Sequence, residues 1–582
     1  MTPTISTGLG AVLAAWLVSV ATATEGASFS WDGDAGDSRW SSVSNWLPDA
    51  SAPEPDGDDA VLNPSPEGGI STNDVERAVQ ALTVQLGRNT AVDLGGVRLS
   101  VTNITVAQST SSGAASLLFC EGSLDVSGTL LMARNPTTSS TPNATLSLSN
   151  VVARIGTLQS NSRYGNGTIT VHGGRVTLAD AATIGYGEVG SGSRKGTMTL
   201  LESAQLVFGE GGGQPDIDVG RAAYRGGVGT LDASQGSVTG RIATLDIGIS
   251  TGGNGGAGVG TTILGPGTVD IGVLRMGHTE LANAVHCVGL LELTGTSVTV
   301  SNCFINIRNG SGTLAMQGGS LRITDYLEAG RGVHGLSFTP WGRVIASGHA
   351  EVAFGRPGGE QADVVVGWAS YRSGTGTLDL RGASTSGYVG RFTVGRSSSA
   401  ANPGTGTGVG LLGPGSLDVQ TLTLGEFISG GSAAGTLDLN ATVVVCSNVT
   451  VSAGGGAGSL HLQNGARLCV SGALTVAANG VSSNSVALRP GGFDLAEDAT
   501  LTLATPHRIR FFDPAGSFEG IYWGLRWRGS HSNALATTYA GKIIPDASSL
   551  SPRYGTPGIF ERAGFTYIGV HVPATGLQLL VR

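Results

Sequence analysis

Eleven glycines, Gly167, Gly196, Gly229, Gly260, Gly289, Gly312, Gly342, Gly376, Gly408, Gly435 and Gly458, stand 23 to 34 residues apart, each opening a short alternating apolar run. Self-similarity at that period belongs to solenoids and propellers. From Gly312, apolar residues follow at Leu314 and Met316 and again at Leu321 and Ile323. The same offsets from Gly289 give Leu291, Leu293, Val298 and Val300, and from Gly435 they give Leu437, Leu439, Val444 and Cys446. Residues two apart share one face of a strand. A third short run then closes on an apolar residue and a glycine, as in Val219-Gly220, Ile247-Gly248, Met276-Gly277 and Val394-Gly395. Three strands per repeat make one coil, and stacked coils make parallel sheets around a central column of aliphatic side chains. The fold class is all-β: a parallel β-helix, with right-handed winding expected from the chirality of parallel crossovers. Propeller blades need four strands and about 40 residues or more, and these units are too short for them.

Two long phrases recur across distant coils. "VGRAAYRGGVGTLDA" (Val219 to Ala233) returns as "VGWASYRSGTGTLDL" (Val366 to Leu380), and "ILGPGTVDIGVLRMG" (Ile263 to Gly277) aligns without gaps to "LLGPGSLDVQTLTLG" (Leu411 to Gly425). Repeat length varies mostly after the closing glycine of the third strand, so the inserted loops are expected to leave one corner and line one flank. The glycine count places the two copies of the first phrase five coils apart, or ~24 Å along the axis.

The 582 residues are ample for such an array, and 40% hydrophobic content is too high for a disordered chain despite 95 glycines. A net charge of −9 argues against a nucleic-acid partner. Residues 1–23 read as a signal peptide: an apolar run from Leu9 to Val20 precedes Ala21-Thr22-Ala23, although no Lys or Arg comes before it. The run is too short for a membrane span, and none follows, so an exported chain, secreted or at the cell surface, is expected. The five cysteines lack any C-x-x-C spacing, and neither a metal nor another cofactor is expected. One extra loop residue turns Cys469 outward where Cys446 points inward, so no bond between them is expected.

Residues 24–80 form a Trp-rich cap ahead of the array at 81–490, and 491–582 read as a C-terminal cap or small α+β unit, with Phe565 to Val572 as its last strand. "WDGDAGDSRWSSVSNW", Trp31 to Trp46, resembles the opening block of bacterial exported proteins with autotransporter-associated β-strand repeats, through Trp31, Asp32, Gly33, Trp40, Asn45 and Trp46. The resemblance implies a surface or secreted β-solenoid, usually without known enzymatic activity. The final stretch departs from a complete autotransporter, since it lacks the strands of a membrane barrel. The tryptophans are expected to cover the open end of the first coil. Turn chemistry is the expected role of Asp32, Asp34, Asp37, Asp56, Asp58 and Asp59, whose spacing does not fit a calcium loop.

Arginines recur after the third-strand glycine. Arg221, Tyr224, Arg225, Trp368, Tyr371, Arg372 and Arg396 form the candidate binding flank, because paired aromatic and guanidinium groups suit extracellular polysaccharide or another cell-surface component. The competing reading, which is favoured, has these arginines capping loop carbonyls or pairing with an acid. Asp232, Asp270, Asp379, Asp418 and Asp438 are scattered over coils and strands, and no H-E-x-x-H or G-x-S-x-G is present. A non-enzymatic structural or adhesive role is therefore expected, with a polysaccharide-active β-helix enzyme or a carbohydrate-binding protein as the alternative.

Overall fold

Gly167 pairs with Gly196, Gly196 with Gly229, and the register continues without a slip through Gly260, Gly289, Gly312, Gly342, Gly376, Gly408 and Gly435 to Gly458. The repeat read from the sequence is thus one ladder of parallel strands in a parallel β-helix. This computed structural model describes residues 27–572, less short stretches that include 63–69, 189–193, 477–484 and 513–519. The expected signal peptide at 1–23 lies outside the described residues. Among those described, no helix is long and apolar enough to cross a membrane.

The core is a set of columns. Leu146, Ile169, Met198, Leu231, Thr262, Leu291, Leu314, Val344 and Leu378 succeed one another on the inner face of the first strands, all buried. Each such aliphatic side chain contributes about 1.5–3 kcal/mol by burial. At Gly410 the column lacks a side chain, and the Phe392 ring and Leu437 occupy the room: a Cβ there would lie 2.8 Å from Leu437 Cδ1. Second and third strands often run together, as in Ser237–Ser250, Gly267–Thr279 and Ala383–Ser398, because the corner between them takes only one or two residues.

The glycine closing the third strand has a conformational reason. Gly185, Gly220, Gly248, Gly277, Gly330, Gly367, Gly395 and Gly425 all have φ between 57° and 82°. A Cβ on Gly220 would sit 2.0 Å from the Val259 carbonyl oxygen. Asn306 and Ser452 adopt the same left-handed conformation where coils lack the glycine, and Ala107 and Ala133 do so near the start.

At the N-terminal end Ser28–Trp31 lies parallel on Asp59–Leu62, which lies on Arg77–Gln85. Stacking therefore already begins within 24–80. Trp46 pairs antiparallel with Trp31, and the rings of Trp31 and Trp40 meet it edge-on at 5.0 and 5.3 Å. Asp37 accepts hydrogen bonds from Ser42, Asn45 and the Arg39 amide and so braces its turn, whereas Asp58 accepts from the Ala27 amide 31 residues away and ties two coils together, Asp59 lies in a strand, and Asp56 lies outside the described residues.

The boundary expected at 490 falls inside the winding. Phe493–Leu495 stacks on Arg467–Val470, Thr500–Leu503 on Ala473–Val476 and His507–Phe512 on Ser485–Leu488, all parallel. Gly520–Arg528 and Ile543–Ser549 extend the stack further. Only then does an antiparallel hairpin, Gly558–Arg562 with Phe565–Val572, close against Gly520–Arg528, beside a short helix at Ser532–Thr537. The ladder of first strands runs from Ile70–Thr72 to Ile543–Ser549. Among the described residues its eighteen members span ~80 Å at the interstrand spacing of a sheet.

Candidate binding flank

The duplicated phrase builds the same corner twice. The amides of Ala223, Tyr224 and Arg225 converge on the Gly187 carbonyl oxygen at 2.8, 3.3 and 3.4 Å, and those of Ser370, Tyr371 and Arg372 converge on Gly332 at 3.0, 3.0 and 3.3 Å. A concavity of successive amides attracts negative charge. Here a carbonyl of the preceding coil fills it. The two copies are five coils apart in the ladder, as the glycine count requires. Tyr224 is 48% exposed, Arg225 and Arg372 are exposed, and Tyr371 is half-buried.

Arg221, Trp368 and Arg396 lie in a different setting, on the outer face of the third strands. The left-handed glycine resets the alternation of the strand, so residues three apart face the same way. Asp218 and Arg221 meet across Gly220 at 2.7 Å, and Glu328 and Arg331 across Gly330 at 3.8 Å. Other pairs join successive coils. Arg275 holds Asp246 through two hydrogen bonds of 2.6 and 2.5 Å, and Arg396 lies 3.1 Å from Glu426, which Arg391 also contacts. Trp368 is sandwiched between the guanidiniums of Arg331 and Arg396, 4.0 and 4.7 Å from its ring centroid, and donates through Nε1 to Ser398 at 2.8 Å. Such stacking stabilises by about 0.5–2 kcal/mol per contact.

Burial raises the pKa of Asp218 and Glu328, with Arg221 and Arg331 respectively opposing the rise. Glu328 also accepts the Tyr326 hydroxyl at 2.8 Å. Asp246 is pushed up to about 6 by burial, against the pull of Arg275. His278 on the same face is pushed down to about 4 by burial and by Arg275 and Arg308, which keeps its imidazole neutral at pH 7.

The candidate residues therefore separate. Tyr224, Arg225, Tyr371 and Arg372 belong to corner loops on one flank. Arg221, Trp368 and Arg396 are tied into the wall of the rod, the arrangement favoured for the arginines. Their partners Asp218, Glu328 and Glu426, and the Asp246–Arg275 pair, were not singled out from sequence. For Asp218 with Arg221 and Glu328 with Arg331 the i, i+3 spacing around the glycine was the available signal, whereas the acids held by Arg275 and Arg396 lie on neighbouring coils, where no local spacing marks them.

Of the scattered carboxylates, Asp379 pairs with Arg381 at 2.7 Å, Asp438 with His461 at 2.6 Å and Asp270 with Arg241 at 3.6 Å, while Asp232 accepts the Ser234 amide at 3.0 Å. Cys446 lies over Val470 and Cys469 over Val445, so the two thiols point to opposite faces as expected. Comparison with protein-family models, curated proteins and solved structures found no match to this chain.

Proposed function

We propose that this chain is an exported, non-enzymatic structural or adhesive rod of the bacterial cell exterior, presenting its corner loops as the contact flank. The observation that carries the reading is the fate of the ionisable groups along the third strands. Asp218, Asp246, Glu328 and Glu426 each face an arginine, so these charges hold coil to coil or brace the kink within a coil. A general acid or base needs a group left available to a substrate. The resemblance of the Trp31 to Trp46 block and the apolar run from Leu9 to Val20 support export.

The test combines location with turnover. Intact producing cells treated with added protease should lose the protein or yield it in the external fraction, and the purified chain should cleave no acidic polysaccharide in a lyase and hydrolase screen. Retention inside the protease-resistant cytoplasm contradicts export. Cleavage contradicts the non-enzymatic role.

A further inference from the structure

A groove of about 500 Å³ lies on the outer face of the second strands, away from the corner loops, and Arg322, Arg356, Ser386, Tyr388, Ser416 and Asp418 line it. Its volume is within the roughly 300–1,000 Å³ of small-ligand sites. The register explains its shape. Arg322 stacks beneath Ala353, Ala353 beneath Ser386 and Ser386 beneath Ser416, so three small side chains leave a trough that starts at a guanidinium and runs ~14 Å along the axis.

One wall is aromatic. Tyr388 follows Gly387, whose φ of 119° and close approach to Phe354, with a Cβ position 2.0 Å from its carbonyl oxygen, exclude other residues. That kink fixes where Tyr388 emerges, 41% exposed and beside Asp418 of the next coil.

The charges differ from those along the third strands. Arg356 is neutralised by Asp325 at 3.2 Å and Glu360 at 3.3 Å. Arg322 donates to the Gly355 carbonyl at 3.1 Å but makes no ion pair among the described residues, and neither does Asp418. A cation, an exposed aromatic face, two serine hydroxyls and a carboxylate thus follow one another along a single trough. An apolar ligand leaves both charges unanswered, and a polyanion meets Asp418.

We propose that this groove binds a short acidic oligosaccharide: a sugar carboxylate at Arg322, a ring stacked on Tyr388, and ring hydroxyls donating to Asp418. The proposal extends the adhesive reading to a second face and uses none of the corner residues.

The experiment is calorimetric titration of the full chain with trigalacturonate and with its methyl ester. The native chain should bind the acid more tightly than the ester. Tyr388→Ala should weaken binding about tenfold or more, equivalent to ~1.4 kcal/mol. Arg322→Gln should abolish the preference for the acid, and Tyr388→Phe should keep it, which preserves the test if the alanine variant melts early. Val152→Ala, at an exposed position outside both the groove and the corner loops, should change nothing. No binding by the native chain, equal affinity for acid and ester, or affinity untouched by Tyr388→Ala and Arg322→Gln in folded protein would each overturn the proposal. Cell location is measured separately, so a failure here leaves the exterior-rod reading standing.

Discussion

Arg275 sits directly above Asp246 in the ladder of third strands and grips both of its carboxylate oxygens, while Asp218 stacks beneath Asp246 on the other side. Two carboxylates one strand spacing apart are thus held by Arg221 and Arg275. Arg275→Leu leaves Asp246 buried beside a like charge, and we expect a loss of about 3 kcal/mol at pH 8. Urea unfolding of the variant and the parent measures it, and a loss smaller at pH 5 than at pH 8 is expected because protonation relieves the buried charge.

The same residue sets a pH dependence. Its folded pKa of about 6 is above the ordinary 3.8, so the folded chain takes up this proton more readily than the unfolded one. The stabilising effect of that proton is present below about pH 4 and is lost as pH rises to about 6. Relative to Asp246→Asn, the parent should gain about 1–3 kcal/mol on going from pH 7 to pH 4. Parallel stability curves for the two proteins would count against the buried, unionised carboxyl.

Glycines of one conformation differ in consequence. Gly248 has φ 66° and a Cβ position 1.8 Å from the Val288 carbonyl oxygen, whereas Gly295 has φ 68° and open space around it. Gly295→Ala should cost about 1–2 kcal/mol, the left-handed strain alone. Gly248→Ala must also displace backbone and should cost more than about 3 kcal/mol, read from melting curves of the two variants.

At the N-terminal end, Trp46 is fully buried between Trp31 and Trp40. Trp46→Ala should cost about 3–5 kcal/mol locally. Coils of a solenoid contact mainly their neighbours, so hydrogen exchange should quicken over residues 28–93 and stay slow near Gly312. Uniform acceleration along the chain would show that the tryptophans do more than close an end.

Thiol reactivity follows the facing of the strands. Cys120 and Cys469 are half-buried, whereas Cys287, Cys303 and Cys446 are buried. Burial pushes the Cys303 and Cys446 thiols up to about 12. Alkylation of the native chain should modify Cys469 and Cys120 first and reach Cys303 and Cys446 only on unfolding, as peptide mass mapping would read.

The ladder was legible because Gly312, Leu314 and Met316 recur at fixed offsets whatever the loop between coils does. The Cys446 and Cys469 facing was legible for the same reason, a one-residue parity in a strand. Asp246 and Arg275 were hidden by their separation: they are neighbours only because one coil of this particular length lies between them, and coil length varies. Asn306 and Ala133 take the place of the closing glycine without its sequence signal. Past residue 490 the texture is aromatic and Arg-rich and the repeating Gly-x-apolar-x-apolar offsets are lost, which obscures the stacking of Phe493–Leu495 on Arg467–Val470. The groove at Tyr388 comes from small residues on successive coils, and no single repeat contains it.

Spin-label pairs along the outer face of the first strands test the continuous rod most directly. Thr168 is five coils from Thr313, seven from Thr377 and nine from Thr436 in the ladder. The three distances should rise in steps of ~10 Å, from ~24 to ~34 to ~43 Å before tether length is added. Distances that do not grow with coil number would contradict the rod.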